Sequence, residues 1–498
     1  MKNQNYLIFD VGASNGRALV AQFDGNKFYL DEIYRFDNIP VFAAKTLFWD
    51  ILKIYSDLKN GISNAIKKYK NIKSLALTTW GVDFSFIDKN GQLISNPIHY
   101  RDLERTKMYC KIYEDIISDK ELFKLVGGPI SSIGSINQIY LMKLREATEL
   151  KNAYKFFMIS DLLNYFLTME MINEFTIATT TTMFNISEKK WEEILFKKLD
   201  INTNIFSKIM LPGKMIGNIY GKVSDELGIK TNTPIKVISA PSHDTASAVA
   251  GIPILRNNKK WAFLSMGTWF AFGIITKEKI VTDMAFNEKF YNEGSADGNN
   301  LFIKNMTGLW VLQQCRNKWV KDLNKKISWD EIMNLASNSK PFRCFINTDD
   351  ASFITPSENM PLIIKRFCES AKQYSPENIG EIARCIYESM VFKLKYSVNI
   401  LEDIINEKIE NFYFVGGGTK DKILCQWMAN ATGKPILAGP VESASVGNLI
   451  FQLKISGQIN SIEEGKIICK NSSKLYIYEP KETDAWKFAY LKFLNIVK

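Results

Sequence analysis

The feature that most constrains this chain occurs twice. Near the start, an apolar strand, Tyr6–Asp10, enters the small-residue turn Val11-Gly12-Ala13-Ser14-Asn15-Gly16 and returns as a second strand, Arg17–Phe23. About 256 residues later, counting from Asp10 to Met266, the strand Trp261–Ser265, the turn Met266-Gly267-Thr268 and the strand Trp269–Ile275 repeat the pattern. A hairpin tip of glycines and small polar residues lets backbone N–H groups come close to an anion. Two such hairpins, each opening one half of a 498-residue chain, predict a duplicated α/β architecture with a cleft between the halves. The division is placed at 252/253, within the interrupted stretch 251–260 that holds Pro253 and Asn257-Asn258-Lys259-Lys260.

The remaining pattern fits that frame. Lys27–Phe36, Ser74–Thr79, Pro234–Ser239 and Asn411–Val415 read as strands. Leu47–Tyr69 and Glu377–Asn406 carry helical stripes, and Thr245–Ala250 and Cys425–Ala431 open shorter helices. Phe84–Asp88 and Gln92–Ile94 flank Lys89-Asn90-Gly91, whose Asn-Gly predicts a hairpin. Residues 103–195 read as mainly helical.

Composition excludes several classes. The net charge of +10 is spread over scattered lysines, which reads as a solvated surface and not as a nucleic-acid stripe. Seven cysteines, an odd number with no C-x-x-C pair, argue against a disulfide framework or a zinc site. With only two histidines, His99 and His243, His-rich metal chemistry is excluded. The apolar run before Asp10 is too short for a signal peptide, and no segment is long enough to span a membrane. The expected setting is cytoplasmic.

Several segments could carry chemistry, each with a plainer reading beside it. Asp10 at a strand end could hold Mg²⁺, or sit beside an ordinary polar hairpin tip. Gly416-Gly417-Gly418-Thr419 after the strand Phe412–Val415 could let a flat ring lie on bare backbone, or serve a turn needing positive φ. Asp244 in Pro241-Ser242-His243-Asp244-Thr245 could take a proton from an attacking hydroxyl, or cap the following helix. Trp80, Gly81 and Asp83 could stack on and hydrogen-bond a polyol, or belong to the core. Neither the G-x-x-x-x-G-K-[ST] loop nor the G-x-G-x-x-G loop is present, so any ATP site uses the paired hairpins.

Taken together these segments resemble the FGGY carbohydrate kinases, and within them the rhamnulokinases. The resemblance rests on DVGASNGR (10–17), TTWGVDF (78–84), YRD (100–102), NEFTIATTT (173–181), SHDTASAV (242–249), SMGTW (265–269), KNMTGLWVLQ (304–313), NMPLIIKRFC (359–368) and VGGGTKDKILCQWMANATGKPILAGPVESASVGN (415–448). It implies two RNase H-like domains of the actin/hexokinase type, 1–252 with the sugar site and catalytic aspartate, 253–498 with most of the nucleotide site. It implies ATP and Mg²⁺ as cofactors and a small sugar as partner, with no nucleic acid and no membrane. Ala13, Ser14, Asn15, Gly16 and Arg17 would form the first phosphate loop, with Asp10 holding Mg²⁺. Thr268, Gln313 and Gly417 would contact ATP. Gly81, Asp83, His243, Asp244, Thr245 and Asn305 would contact the sugar, with Asp244 as base. The implied reaction phosphorylates O1 of a 6-deoxy-ketohexose, L-rhamnulose first and L-fuculose as the alternative. A non-catalytic sugar or nucleotide sensor is the reading from a different class. The chain departs from the family pattern at Asn15, usually Ser or Thr, and at Met158-Ile159-Ser160-Asp161, which lacks a proline.

Overall fold

Alternation along the first strand decides how the first sheet is covered. In Gln4–Val11, Leu7, Phe9 and Val11 face one side and Tyr6 and Ile8 the other, and all five are buried, so both faces need a partner. One face packs with Ile51, Ile54, Leu58 and Ile62 of the helix Ile51–Lys68. The other packs with Val446, Leu449, Ile450 and Leu453 of the helix Ser443–Ile455. The structure, a computed structural model, describes residues 4–230, 232–253, 260–355 and 357–497, without the side chains of residues 108 and 110. Residues 254–259, in the middle of the expected division, lie outside that description.

The first sheet runs in the order Lys214–Asn218, Lys236–Ser239, Ile72–Thr79, Gln4–Val11, Asn15–Phe23, Phe28–Asp37. Gln4–Val11 pairs antiparallel with Asn15–Phe23 and parallel with Ile72–Thr79, which pairs parallel with Lys236–Ser239. In the second sheet the order is Tyr476–Tyr478, Ile436–Ala438, Asn411–Val415, Trp261–Met266, Trp269–Thr276, Asn300–Thr307, Tyr291–Gly294. Here Trp261–Met266 pairs antiparallel with Trp269–Thr276 and parallel with Asn411–Val415, which pairs parallel with Ile436–Ala438. The six positions of the first sheet recur in the same order in the second, which adds Tyr291–Gly294 as a seventh strand. The duplication read from the hairpins is therefore a duplication of topology, and the fold is the α/β, RNase H-like one.

Two compact units emerge: Met1–Ile254 with Ile275–Phe302 and Ser443–Ser473, and Leu255–Ile274 with Ile303–Glu442 and Lys474–Lys498. Neither is one continuous stretch, unlike the halves read from sequence. Helix Ser443–Ile455 belongs to the first unit because its apolar face completes the first sheet, and because it lies against the helix Asp244–Ala250. A Cβ on Gly447 would stand 1.8 Å from the carbonyl oxygen of Ser247. Phe84–Ile87 forms the expected turn-linked pairing, with Ile87 bridging Leu93 and Ile94 N–H donating to the Phe86 carbonyl, but it gains a longer partner elsewhere. Its ladder partner is Lys155–Met158, a strand inside the segment read as helical, although Asp88 and Gln92 still close the Asn-Gly turn. Helix Ile51–Lys68 starts later than expected because Thr46–Phe48 pairs with Val41–Ala43 and Asp50 caps the helix. Among the described residues, no helix is long and apolar enough to cross a membrane.

Candidate active site

Neighbouring parallel strands of the first sheet end at one edge, the place where open α/β sheets commonly bind ligands. The register sets Asp10 beside Thr78. Thr79 N–H donates to the Ser242 carbonyl at 2.8 Å, and Thr79 bridges His243. Asp10, the segment 78–83 and the segment 242–245 thus share that edge.

Asp244 is the first residue of the helix Asp244–Ala250, and the capping position falls to His243, whose side chain caps nothing. The capping reading of Asp244 is thereby set aside. Its carboxylate lies 3.2 Å from His243 Nε2 and accepts from Thr245 Oγ1 at 3.3 Å, while 43% of the side chain stays exposed. On the other side of the ring, His243 Nδ1 lies 3.1 Å from the Glu293 carboxylate. Burial works against a charged His243, but Glu293 first, then Asp244 and Glu174, outweigh it and raise its pKa to about 9. His243 is therefore an imidazolium held between two carboxylates. Glu293 was not singled out in the sequence. It lies in the strand Tyr291–Gly294, some 50 residues downstream, and no local pattern marks it.

The NEFTIATTT segment supports this pair from behind. Thr176 Oγ1 accepts from His243 N–H at 3.1 Å, and the Glu174 carboxylate accepts from Ser242 N–H at 3.2 Å. Glu174 is fully enclosed, which raises its carboxyl to about 7 against four hydrogen bonds that pull the other way.

The TTWGVD segment is buried except at Gly81 and Val82, which are half-buried. Asp83 has no exposed surface. It accepts from Trp49 Nε1 at 2.7 Å and Trp80 Nε1 at 2.8 Å, and pairs with Arg105 Nη1 at 2.5 Å. Burial pushes its carboxyl up against these partners. Asp83 is thus enclosed, with its carboxylate bonded to protein donors on both oxygens. Its surroundings are occupied by indole and guanidinium donors. Between it and Gly81 sits Val82 with φ of 66°, a costly conformation for a β-branched residue. Three bonds hold it there: Val82 N–H donates to Thr180 Oγ1 at 3.0 Å, and its carbonyl accepts from Arg105 at 2.9 Å and Ser135 at 2.6 Å. Gly81 is tied to the same place, since a Cβ would lie 2.8 Å from Thr180. The other histidine, His99, is driven down to about 3 by burial, then by Arg101 and Arg105, and stacks on Trp49 at 4.1 Å as a neutral ring.

In the first hairpin, Gly12 N–H donates to the Asn15 carbonyl, and Asn38 braces the turn through Gly12 and Ser14. Ala13 and Ser14 occupy its tip. Asn15 turns its side chain to Arg35 at 3.2 Å, and Gly16 leaves room for the Phe36 ring, 2.1 Å from where a Cβ would stand. Arg17 pairs with Asp10 at 2.8 Å, so these two residues form one unit of the site. The returning helix reaches it too: Ser445 Oγ lies 3.5 Å from Asp10, and Asn448 donates to Thr78 Oγ1 at 3.0 Å.

The second unit holds the remaining candidates. Thr268 sits exposed at its hairpin tip, its carbonyl accepting from Trp310 N–H at 3.3 Å. The three glycines that follow Asn411–Val415 do three different things. Gly416 has φ of 88°, and Gly418 packs so closely that a Cβ would lie 2.7 Å from the Met266 side chain. Only at Gly417 would a Cβ meet nothing within 4 Å. Gln313 lies on the first turn of Trp310–Leu323 and donates to Asn317 at 2.9 Å. Asn305 is the exposed residue of the otherwise buried strand Asn300–Thr307.

Comparison with known proteins bears on all of this. Residues 5–251 match the N-terminal domain, and residues 262–454 the C-terminal domain, of the FGGY family of carbohydrate kinases. The rhamnulokinase of Bacteroides thetaiotaomicron is 32% identical over 495 residues, 99% of this chain and 100% of that protein. The rhamnulokinase of Oceanobacillus iheyensis is 33% identical over 472 residues, 95% and 97% respectively. In backbone, the xylulose kinase of Lactobacillus acidophilus superposes with a TM-score of 0.82 at 16% identity, covering 99% of this chain and 97% of that one. The Plasmodium falciparum glycerol kinase with ADP gives 0.78 at 16%, covering 100% and 98%.

Proposed function

The chain belongs to the FGGY family of carbohydrate kinases and is an ATP-using sugar kinase; from that premise we propose that it phosphorylates the O1 hydroxyl of a 6-deoxy-ketohexose, L-rhamnulose before L-fuculose. The observation that carries the chemistry is Asp244: a carboxylate 43% exposed at the edge of a sheet, touching a fixed imidazolium. The sugar assignment is supported by relatives named rhamnulokinase that match nearly the whole chain.

In the proposed reaction the sugar O1 attacks the γ-phosphorus of ATP. The new O–P bond forms as the bond to the β–γ bridging oxygen breaks, ADP leaves, and Asp244 takes the hydroxyl proton. His243, held by Glu293, fixes the rotamer of Asp244 and keeps a positive charge beside it. Gly81 and Asn305 would contact the sugar with His243 and Thr245. Ala13, Ser14, Asn15 and Gly16 would offer the first phosphate contacts, and Thr268, Gln313 and Gly417 the remaining nucleotide contacts. Mg²⁺ takes one or two carboxylates and keeps several waters, a demand that Asp10, 15% exposed beside Arg17, fits. An ion held there would supply charge neutralisation for the phosphoryl oxygens. ATP use agrees with the expected cytoplasmic setting.

The test is ATP consumption with L-rhamnulose, L-fuculose, D-xylulose and glycerol at one ATP concentration. An apolar wall around the terminal methyl is worth about 10–200-fold, so both deoxy sugars should lead. Preference for glycerol or D-xylulose would overturn the substrate, and no turnover with any sugar would overturn the reaction.

A further inference from the structure

Three cysteines that are far apart in sequence meet in the second unit. Cys344 lies in the loop before Phe345, Cys368 in the helix Met360–Ser370 and Cys385 in the helix Ile379–Ile405. All three are buried, and their sulfur atoms lie within 4.8 Å of one another. We propose that Cys344, Cys368 and Cys385 form a three-thiolate site for a zinc ion, independent of the reaction described above.

Distance supports the site. Four-coordinate zinc with bonds of about 2.3 Å spaces its sulfurs by about 3.8 Å, so small rotations of three side chains bring all of them into range. The backbone around them is already fixed. Glu388 accepts from Phe342 N–H at 2.9 Å and Ser389 Oγ from Ile346 N–H at 2.9 Å, which pins the Cys344 loop to the helix carrying Cys385. Gln373 bonds both the N–H and the carbonyl of Phe345, at 2.9 and 2.8 Å, and its own N–H donates to the Cys368 carbonyl. The loop is thereby tied to the third element as well.

Charge supports it too. The adjoining cavity is lined by Lys340, Arg343, Tyr374, Glu381, Arg384 and Glu388 together with Cys344 and Cys385. Three cations and two carboxylates leave one positive charge, and zinc with three thiolates carries one negative charge. A water would have to complete four-coordination from this cavity. The absence of C-x-x-C argued against zinc, but that spacing describes ligands on one loop, and here each thiol comes from a different element.

The experiment uses the full-length protein, reduced and stripped of metal with a chelator, then titrated with Zn²⁺ against a chromophoric competitor and with Co²⁺ as a spectroscopic stand-in. We expect one ion per chain and a thiolate-to-cobalt charge-transfer band. Groups that merely support a ligand change affinity about 10–100-fold, so Cys368→Ser, which removes a ligand, should weaken zinc binding at least 100-fold and reduce the band. Cys425→Ser, at a buried cysteine elsewhere, should leave both unchanged. Should Cys368→Ser misfold, the wild-type chain decides: added Zn²⁺ must raise its melting temperature and the cobalt band must appear. Absence of the band in wild type, an equal band in well-folded Cys368→Ser, or a disulfide among the three thiols with no zinc uptake would overturn the site.

Discussion

Asp83 and Asp244 both follow strand ends on one edge of the first sheet, the first after Ile72–Thr79 and the second after Lys236–Ser239. Asp83 is sealed among Trp49, Trp80 and Arg105, while Asp244 leaves 43% of its side chain open beside His243. The difference separates two uses of one residue type. A carboxylate saturated by buried donors fixes the shape of its surroundings, and one that keeps an open face can accept a proton from something that arrives. The same division recurs at Gly418, packed on Met266, and Gly417, open to its surroundings.

The largest effect expected from breaking this contrast is at Asp83. Asp83→Ala strands the Arg105 charge in a site with no exposed surface, which costs about 3–5 kcal/mol. Calorimetry should show a melting temperature many degrees lower. A variant that melts like wild type yet loses turnover would make Asp83 a participant in the chemistry.

Next comes the charge on His243. Its pKa in the folded chain, about 9, stands above the ordinary 6.5. The stabilisation is therefore complete below about pH 6.5 and fades as pH rises through about 9. The shift corresponds to about 3 kcal/mol at most. Glu293→Gln should flatten that decline in melting temperature, and matching pH profiles for the two proteins would detach Glu293 from His243.

The smallest effect separates the adjacent glycines. Gly418→Val should destabilise the fold by about 1–3 kcal/mol through overpacking. Gly417→Val should fold normally and weaken ATP binding more than sugar binding. Equal loss of both affinities in a folded Gly417→Val would remove this residue from the nucleotide site.

What the sequence disclosed follows physical range. The two hairpins, and Asp244 after its buried strand, are written in short local patterns, and the structure keeps each where it was read. The open and buried aspartates could not be told apart, because two of the three donors around Asp83, Trp49 and Arg105, lie 34 and 22 residues away. Glu293 and the return of Ser443–Ile455 to the first unit were hidden for the same reason. The tertiary pairing that gives them meaning leaves no periodic trace. Gly-Gly-Gly read as one bare surface, whereas Met266 occupies the space beside two of the three.

The most direct test of the account is Asp244→Asn, measured for turnover, for binding of ATP and L-rhamnulose, and for melting temperature in the same preparation. An amide keeps the shape but cannot take the proton, so turnover should fall about 10²–10⁴-fold while both affinities and the melting temperature stay near wild type. Undiminished turnover in a folded Asp244→Asn would contradict the assignment of Asp244 as the base.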